Sequence, residues 1–321
     1  MVLCITHSRD FYTIDIVQQA LEQSGFRSFR LNSDEFAVRY KLNYILNGDA
    51  QEMQLSAGTE TITSSQVNAV WYRKLWKLSI PPELDPAYHD VFRKEYQTHL
   101  QIFFNSLDHV PWMNRMAADH AVGGDKLHQL TTANAAGLTI PHTIFTNKPE
   151  AIRQLYDDCN GNIVAKLHGA LSRSMEGNTT FFPTTKISAA HLDRLNELAY
   201  CPMIFQEYIP KAYELRIAYV DGICFAGKIP ADNSTDWRAP KGHPVQWQPY
   251  ELPSAVGEQL SLMMQQLGLA FGAIDMIRRP DGTYVFLEVN PQGEWGMLQK
   301  CLGYPIGETI VQQLIKHIKN G

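Results

Sequence analysis

The stretch YVFLEVNPQGEWG, residues 284–296, ends an apolar segment with an acid and an amide. Side chains of a strand alternate between its two faces, so Glu288 and Asn290 point the same way. A buried carboxylate is unfavourable unless it is paired with a cation or bound to a metal ion. The stretch therefore predicts a strand that carries a polar site.

An apolar segment before it, residues 271–277, contains a second acid, Asp275. The two segments flank the turn sequence RPDG and are predicted to form a β-hairpin. With an even number of loop residues, Asp275 and Glu288 lie on the same face, whereas a three-residue loop with a glycine bulge would separate them. We expect the even loop, because two unpaired acids on opposite faces of an apolar sheet are harder to explain.

Two carboxylates and an amide oxygen are ligands that suit a hard cation. Mg²⁺ fits a site that has few protein ligands and also uses the phosphate oxygens of a substrate. We therefore predict a magnesium site formed by Asp275, Glu288 and Asn290. The alternative is that each acid pairs with an arginine or lysine, or faces solvent.

Length and composition limit the class of protein. A chain of 321 residues exceeds one compact core, so we expect two or three domains. The formal net charge of −5 gives no basic field that would attract nucleic acid or an anionic membrane. No apolar run approaches the roughly 18 residues that span a bilayer.

The cysteines and the N-terminus indicate a cytoplasmic protein. The five cysteines are scattered and form no C-x-x-C pair, which predicts reduced thiols and no structural zinc. The N-terminus has no signal-peptide pattern. A homodimer is expected because closed dimers are the commonest soluble oligomers.

The order of predicted elements indicates an α/β protein with α+β features. A strand at residues 2–6, a helix at 13–23 and a strand at 26–31 form a β-α-β start, which favours a parallel sheet. Residues 114–125 are predicted to be a linker and residues 188–199 a helix, and the last third of the chain is rich in strand signals. The predicted domains are residues 1–115, 116–205 and 206–321.

Candidate phosphate-binding groups precede the hairpin. Lys126 opens a predicted helix, Lys166 ends the strand IVAK, and a polar loop follows at residues 168–180. Lysines are mobile charges suited to phosphate oxygens, and a flexible loop offers backbone N–H groups. The sequences FQEYIP (205–210) and YELRI (213–217) come next, while the standard phosphate loops, G-x-x-x-x-G-K-[ST] and G-x-G-x-x-G, are absent.

In this order, GAIDMI followed by FLEVNPQGEWG resembles the metal-binding end of the ATP-grasp superfamily, and FQEYIP resembles the hinge that presents backbone groups to adenine there. The resemblance implies the ATP-grasp fold, an N-terminal β-α-β domain before central and C-terminal ATP-grasp domains, and ATP and Mg²⁺ as cofactors. Glu214 is then expected to accept hydrogen bonds from the ribose, and Arg216 to reach the phosphates.

The resemblance also implies a set of site residues. The implied catalytic residues are Arg216, Lys228 and Arg238, cations placed near the transferred phosphate or the substrate carboxylate. The implied ATP-binding residues are Lys126, Lys166, Ser172, Ser174, Gly177, Gln206, Glu207, Tyr208, Ile209 and Glu214.

Six segments over nearly the whole chain are similar to the peptide-modifying ATP-grasp ligases of microviridin (graspetide) biosynthesis. These enzymes crosslink side chains of a ribosomally made precursor peptide; one member forms ω-esters, and its sister forms an ω-amide between Lys and Glu. HSRDF, SMEG and GEWGML are closer to the lactam-forming sister. The six segments are ITHSRDF (5–11), AVWYRKLW (69–76), GLTIPHTIFTN (137–147), SRSMEG (172–177), YCPMIFQEYIPKAYELRI (200–217) and LEVNPQGEWGML (287–298).

The resemblance implies a reaction in two steps. A substrate carboxylate attacks the γ-phosphate of ATP, which gives an acyl phosphate and ADP, and an amine then displaces phosphate. No enzyme nucleophile is required, in keeping with the absence of a G-x-S-x-G motif. The implied partner is a precursor peptide with a leader and a core, and we expect the leader to contact the helix at 188–199 near His191 and Arg194.

The amine that attacks the acyl phosphate has three candidate neighbours: Glu294, Asp236 and the first β-α turn. That turn contains His7, Arg9 and Asp10, and α/β sheets bind ligands at such turns.

Rival functions are the ester-forming sister, a ligase that adds glutamate to a protein or peptide, and a nucleotide- or peptide-binding module without catalysis. Release of ADP would distinguish the ligases from the binding module.

Overall fold

The computed structural model of the protein describes residues 1–168, 184–231 and 245–320. The chain divides into unit 1, residues 1–116 with 305–321, and unit 2, residues 117–304. The strands are β1 Val2–Thr6, β2 Ser28–Asn32, β3 Tyr40–Asn47, β4 Ala50–Ala57, β5 Glu60–Thr63, β6 Ala69–Tyr72, β7 Thr143–Thr146, β8 Ile163–Lys166, β9 Thr185–Lys186, β10 Met203–Glu207, β11 Tyr213–Val220, β12 Ile223–Pro230, β13 Gln248–Tyr250, β14 Phe271–Arg278 and β15 Tyr284–Asn290. The α-helices are α1 Tyr12–Gln23, α2 Phe36–Arg39, α3 His89–Asn105, α4 Met116–Gly124, α5 Lys126–Ala135, α6 Pro149–Asp158, α7 Ala189–Leu192, α8 Ser254–Gln266, α9 Gly296–Leu302 and α10 Ile306–Asn320.

Unit 1 is built around the buried strand β1. This strand pairs in parallel with β2 on one side and with β6 on the other, which confirms the predicted β-α-β start. α1 ends before Gly25, whose φ of +78° lies in the left-handed region that favours glycine at a helix end. α10 packs against α1 and β6, and β3, β4 and β5 form a separate antiparallel sheet.

Unit 2 contains two antiparallel sheets, with strand orders β7-β10-β8-β9 and β13-β12-β11-β14-β15. In the five-stranded sheet, apolar residues such as Leu215 and Ile217 on β11 and Ile274 and Met276 on β14 alternate with other residues. These apolar side chains form one core with residues of α5 and α8. The alternation leaves the intervening side chains on the opposite face, which is where the predicted site residues lie.

The structure corrects two predicted elements. The segment predicted to be a linker, residues 114–125, contains α4, because its alanine-rich sequence supports a helix and its two glycines lie only at the helix end. The helix predicted at 188–199 is instead one turn, α7, followed by the 3₁₀ helix Leu195–Tyr200. The division into three domains stays a prediction, and the structure groups α10 with residues 1–116. Within the described part of the chain, no helix has both the length and the apolar character needed to cross a membrane.

Candidate functional site

Strands β11, β14 and β15 bring the predicted acids into rows across one face of the five-stranded sheet. Residues directly opposite each other in antiparallel strands share a face. The middle row is Arg216, Asp275 and Glu288; the row on one side is Glu214, Ile277 and Val285; the row on the other side is Ala218, Ala273 and Asn290. The predicted metal ligands therefore share a face with Glu214 and Arg216.

Asp275 and Glu288 share a face, as predicted, but not because the connecting loop has an even number of residues. Five residues, an odd number, connect β14 to β15 between Arg278 and Tyr284, so the even-loop prediction is wrong. The register shifts by one residue next to Asp275, and Leu287 is the extra residue of a β-bulge. The bulge reverses the effect of the odd loop and places Glu288 opposite Asp275.

Arg216 and Asp275 form a buried ion pair in the middle row. The Nη1 atom of Arg216 lies 2.9 Å from both carboxylate oxygens of Asp275, and Nη2 donates to the backbone oxygen of Glu294 at 3.1 Å. The two side chains are only 7% and 8% exposed. The arginine therefore has fixed partners at both ends of its guanidinium group.

The second acid of the row also has a cation beside it. Lys126, at the start of α5, places its Nζ atom 3.0 Å from Oε2 of Glu288. The side-chain amide of Asn290 donates to Oε1 of Glu288 at 3.1 Å, so the oxygen of that amide is not used in this bond. Lys126, Glu288 and Asn290 thus form one contiguous polar group.

These residues fit a magnesium ion as part of a larger ligand set. No group of three or more His, Cys, Asp and Glu side chains that could hold a metal occurs among the described residues. Asp275, Glu288 and Asn290 instead supply two carboxylates and one amide, which suits a cation that also takes oxygens from water and phosphate. The ion pairs with Arg216 and Lys126 show that the alternative, acids paired with basic residues, also describes this structure.

Glu214 lies beside an apolar patch in the adjacent row. Its carboxylate accepts from Lys211 at 2.6 Å, and the lysine and glutamate side chains are only 5% and 12% exposed. Ile209, Ile277 and Val285 form a small buried apolar cluster there. A carboxylate next to an apolar surface suits a ligand with one polar and one flat apolar part.

Lys166 and Gln206 are joined on the neighbouring sheet. Nζ of Lys166 donates to Oε1 of Gln206 at 2.6 Å, and the amide of Gln206 donates to the hydroxyl of Thr143 at 2.9 Å. Gln206 is buried. This hydrogen-bonded chain holds the lysine head group at the end of β8.

The predicted hinge residues have mostly structural partners. Glu207 pairs with Arg279 at 2.7 Å, and its backbone N–H donates to the carbonyl of His142. The backbone N–H of Tyr208 donates to the carbonyl of Asn162, and the ring of Tyr208 has the ammonium of Lys186 at 4.5 Å from its centroid. The N–H groups of Glu207 and Tyr208 in the hinge are therefore bonded to neighbouring backbone.

The structure does not bring Lys228 to the acidic face. Lys228 pairs with Leu215, so it lies on the apolar face of the sheet, where its ammonium lies 4.5 Å from the ring centroid of Tyr213. The predicted residues Ser172, Ser174, Gly177 and Arg238, and the candidate Asp236, lie outside the described residues.

The first β-α turn belongs to unit 1. His7 is buried and stacks on Trp76 with ring centroids 4.5 Å apart, and its Nδ1 accepts from the backbone N–H of Arg9 at 3.3 Å. The two carboxylate oxygens of Asp10 each accept a hydrogen bond from a hydroxyl group, one from Thr6 and the other from Thr13. Asp10 and His7 are thus part of a buried network, whereas the side chain of Arg9 is exposed.

The candidate leader residues have local roles. His191 accepts from the backbone N–H of Ser188 at 3.1 Å and so caps α7. Arg194 pairs with Glu197 at 2.8 Å on the surface. Their proposed contact with a leader peptide stays a prediction.

Two site residues were not predicted from the sequence. Lys211 had a usable signal, because an opposite charge stands three residues on at Glu214. Gln129 of α5, which accepts from the backbone N–H of Val289, had none, since an amide within a helix is usually a surface residue.

Comparison with known proteins supplies the family. A sequence model described as the MvdD pre-ATP grasp domain matches residues 1–120. The structure of macrocyclase MdnC from Microcystis aeruginosa MRC, bound with precursor peptide MdnA, is 33% identical, has a TM-score of 0.87, and the match covers 98% of this chain and 99% of that chain. Macrocyclase MdnB from the same organism is 40% identical, with a TM-score of 0.85 and 98% of each chain covered.

A third structure extends the comparison. A Chryseobacterium gregarium RiPP-associated ATP-grasp ligase, in complex with ADP and a leader and core peptide, is 27% identical, has a TM-score of 0.89, and the match covers 98% of this chain and 96% of that chain. No curated protein sequence matched the chain. The mixed α/β architecture is therefore the ATP-grasp fold, as predicted, and the protein is an enzyme. The chain belongs to the RiPP-associated ATP-grasp ligases, the family that includes the macrocyclases MdnB and MdnC.

Proposed function

We propose that the protein uses ATP to join an Asp or Glu side chain of a ribosomal precursor peptide to a Lys side chain, forming an intramolecular ω-amide and releasing ADP and phosphate. The observation that carries this proposal is the row of Arg216, Asp275 and Glu288, with Asn290 and Lys126 beside it. The precursor peptide bound to MdnC, and the ADP and peptides bound to the Chryseobacterium ligase, support the same ligand classes here.

The three rows suggest how a nucleotide lies on the sheet. The apolar cluster of Ile209, Ile277 and Val285 suits the adenine base, and Glu214 next to it suits the ribose hydroxyls. Arg216 lies in the next row, two residues from Glu214 and therefore about 7 Å along the strand. The phosphates would lie at this row. The order of base, sugar and phosphate thus follows the order of the rows.

Asp275, Glu288 and Asn290 would hold Mg²⁺, which when bound neutralises charge on the phosphates. Lys126 and Lys166 would position phosphate oxygens, and Arg216 would stabilise charge on the transferred phosphoryl group. A substrate carboxylate oxygen attacks the γ-phosphorus, ADP leaves, and the resulting acyl phosphate is attacked by the amine nitrogen while phosphate leaves. Most of the rate enhancement then comes from position and charge, because no covalent bond to the enzyme forms.

The choice of an amide over an ester rests on the resemblance of HSRDF, SMEG and GEWGML to the lactam-forming sister. An ester-forming ligase and a glutamate-adding ligase would use the same nucleotide residues. The product therefore has to be measured.

The test is mass spectrometry of a microviridin-type precursor peptide incubated with the protein, ATP, Mg²⁺ and free glutamate. We expect loss of one water per crosslink, stable to mild base, and release of ADP. Glu288→Gln should abolish the crosslink, while Asp90→Asn, which alters an exposed ion pair with Arg93, should not. Base-labile losses would identify an ester-forming ligase, and a gain of glutamate mass would identify the glutamate-adding ligase. No change with the wild-type protein would refute the proposed function.

A further inference from the structure

The outer edge of β15 is bonded by a helix side chain. β15 is the last strand of the five-stranded sheet in the described part of the chain, and near its start the backbone N–H of Phe286 donates to the carbonyl of Thr139 at 2.9 Å. At the end near the acids, the backbone N–H of Val289 donates to Oε1 of Gln129 at 3.0 Å. Val289 lies between Glu288 and Asn290, the two predicted ligands on this strand.

The side chain of Gln129 is wholly buried, and its amide group makes a second hydrogen bond. Its Nε2 donates to the backbone oxygen of Val122 at 2.7 Å, so both ends of the amide are bonded. Lys126 lies three residues earlier on the same helix and therefore on the same face. One face of α5 thus contacts two successive residues of β15: Lys126 contacts Glu288, and Gln129 contacts Val289.

We propose that Gln129 is a positioning residue, which sets the alignment of Glu288 and Asn290 relative to Lys126. This inference rests on the proposed function of the same site. A buried N–H without an acceptor is unfavourable, so loss of the amide would move β15 until Val289 finds a partner. Metal and phosphate ligands tolerate shifts of only about 0.5 Å, so the movement would weaken magnesium-dependent nucleotide binding.

Three variants test the proposal. Gln129→Leu removes both hydrogen bonds at similar volume. Gln129→Glu can restore both, but only while the introduced carboxyl is protonated: one oxygen accepts from Val289, and the hydroxyl donates to Val122. Tyr304→Phe is the matched control, because the Tyr304 hydroxyl also bonds backbone groups of this sheet, the carbonyl of Ala226 on β12 at 2.9 Å and the N–H of Tyr250 on β13 at 3.3 Å, but on the side away from β15.

The first readout is titration of ADP in the presence and absence of MgCl₂, with thermal unfolding measured in parallel. We expect Gln129→Leu to weaken magnesium-dependent ADP binding about tenfold or more. Tyr304→Phe should lower thermal stability and leave that binding unchanged. If both variants lose stability and bind magnesium-ADP like the wild type, Gln129 is only structural and the proposal is wrong.

The second readout is the pH dependence of Gln129→Glu, which still applies if Gln129→Leu fails to fold. Burial raises the pKa of a carboxyl, so the variant should bind magnesium-ADP like wild type near about pH 6 and lose affinity relative to it towards about pH 9. A constant ratio to the wild type over this range would overturn the proposal. If the wild type binds magnesium-ADP but makes no crosslink, the proposed function fails, while these binding comparisons still decide the role of Gln129.

Discussion

At the scale of single residues, the pair of Arg216 and Asp275 couples the candidate site to stability. Removing one partner of a buried pair leaves an uncompensated charge. We expect Asp275→Asn to lower the free energy of unfolding by about 3–5 kcal/mol, measured by urea denaturation, and a second change, Arg216→Met, to recover part of the loss. Asp90→Asn in the exposed pair with Arg93 should cost less than about 1 kcal/mol, and equal effects of the two single changes would contradict the prediction.

Gly293 is required by close packing next to the same arginine. A Cβ atom there would overlap the Cβ of Ala273 and lie 2.9 Å from Nη2 of Arg216. We expect Gly293→Ala to cost about 1–3 kcal/mol of stability and to reduce ligase activity, because the arginine must move.

The matched control for this change is Gly257→Ala in α8, where an added Cβ meets nothing within 4 Å. That change should stabilise the protein by about 0.5–1 kcal/mol, because alanine is more favourable than glycine inside a helix. Thermal unfolding measures the change in stability of each variant, and the crosslinking assay measures its ligase activity. A fully active Gly293→Ala variant would show that the turn can absorb the added methyl group.

At the scale of elements, the turn between β1 and α1 makes His7 sensitive to pH. Burial lowers the pKa of His7 below its usual range. Asp10 and Asp34 oppose this effect, whereas Lys74 and Arg73 add to it. The folded protein therefore favours the neutral ring more than the unfolded chain does.

The consequence is a loss of stability in mild acid. The unfolded chain binds the proton more readily, so the contribution of His7 is present above the ordinary histidine pKa and is lost as the pH falls below it. We expect the free energy of unfolding to fall between about pH 7 and pH 5, with a slope from this one proton of at most about 1.4 kcal/mol per pH unit. Urea denaturation of the wild type and of His7→Gln should show a smaller slope in the variant; parallel curves would refute the assignment.

At the scale of the whole molecule, the C-terminal helix completes unit 1. α10 buries Ile306, Ile310, Val311 and Leu314, each at most 1% exposed, and it packs against α1 and β6. These side chains contribute roughly 6–12 kcal/mol before the cost of ordering the chain, which is comparable with the net stability of a domain.

We therefore expect a chain shortened after Tyr304 to lose the fold of unit 1. Hydrogen exchange of the β1 amides would measure this directly, because these amides are protected only while the parallel sheet is intact. Removal of residues 319–321 alone should leave that protection unchanged, since Lys319 and Asn320 are exposed. Full protection of β1 in the shortened chain would show that unit 1 is stable without α10.

The sequence by itself determined the properties that depend on local periodicity and on the order of residue types. Alternation along one strand placed Glu288 and Asn290 on one face, and alternation along another placed Glu214 and Arg216 together, as the register confirms. The order of the lysines, FQEYIP and the hairpin predicted the ATP-grasp fold through its resemblance to that superfamily. The alternation of side chains along a single strand does not depend on how distant segments pack.

Only the tertiary structure decided how the segments meet. The bulge at Leu287 aligns Asp275 with Glu288, although the loop length alone would separate them. Register also places Lys228 on the opposite face, and packing brings Gln129 of α5 against Val289. A shift of one residue in register reverses every side chain of a strand, and contacts between distant segments are set by the packing of the whole unit, so neither can be obtained from local sequence.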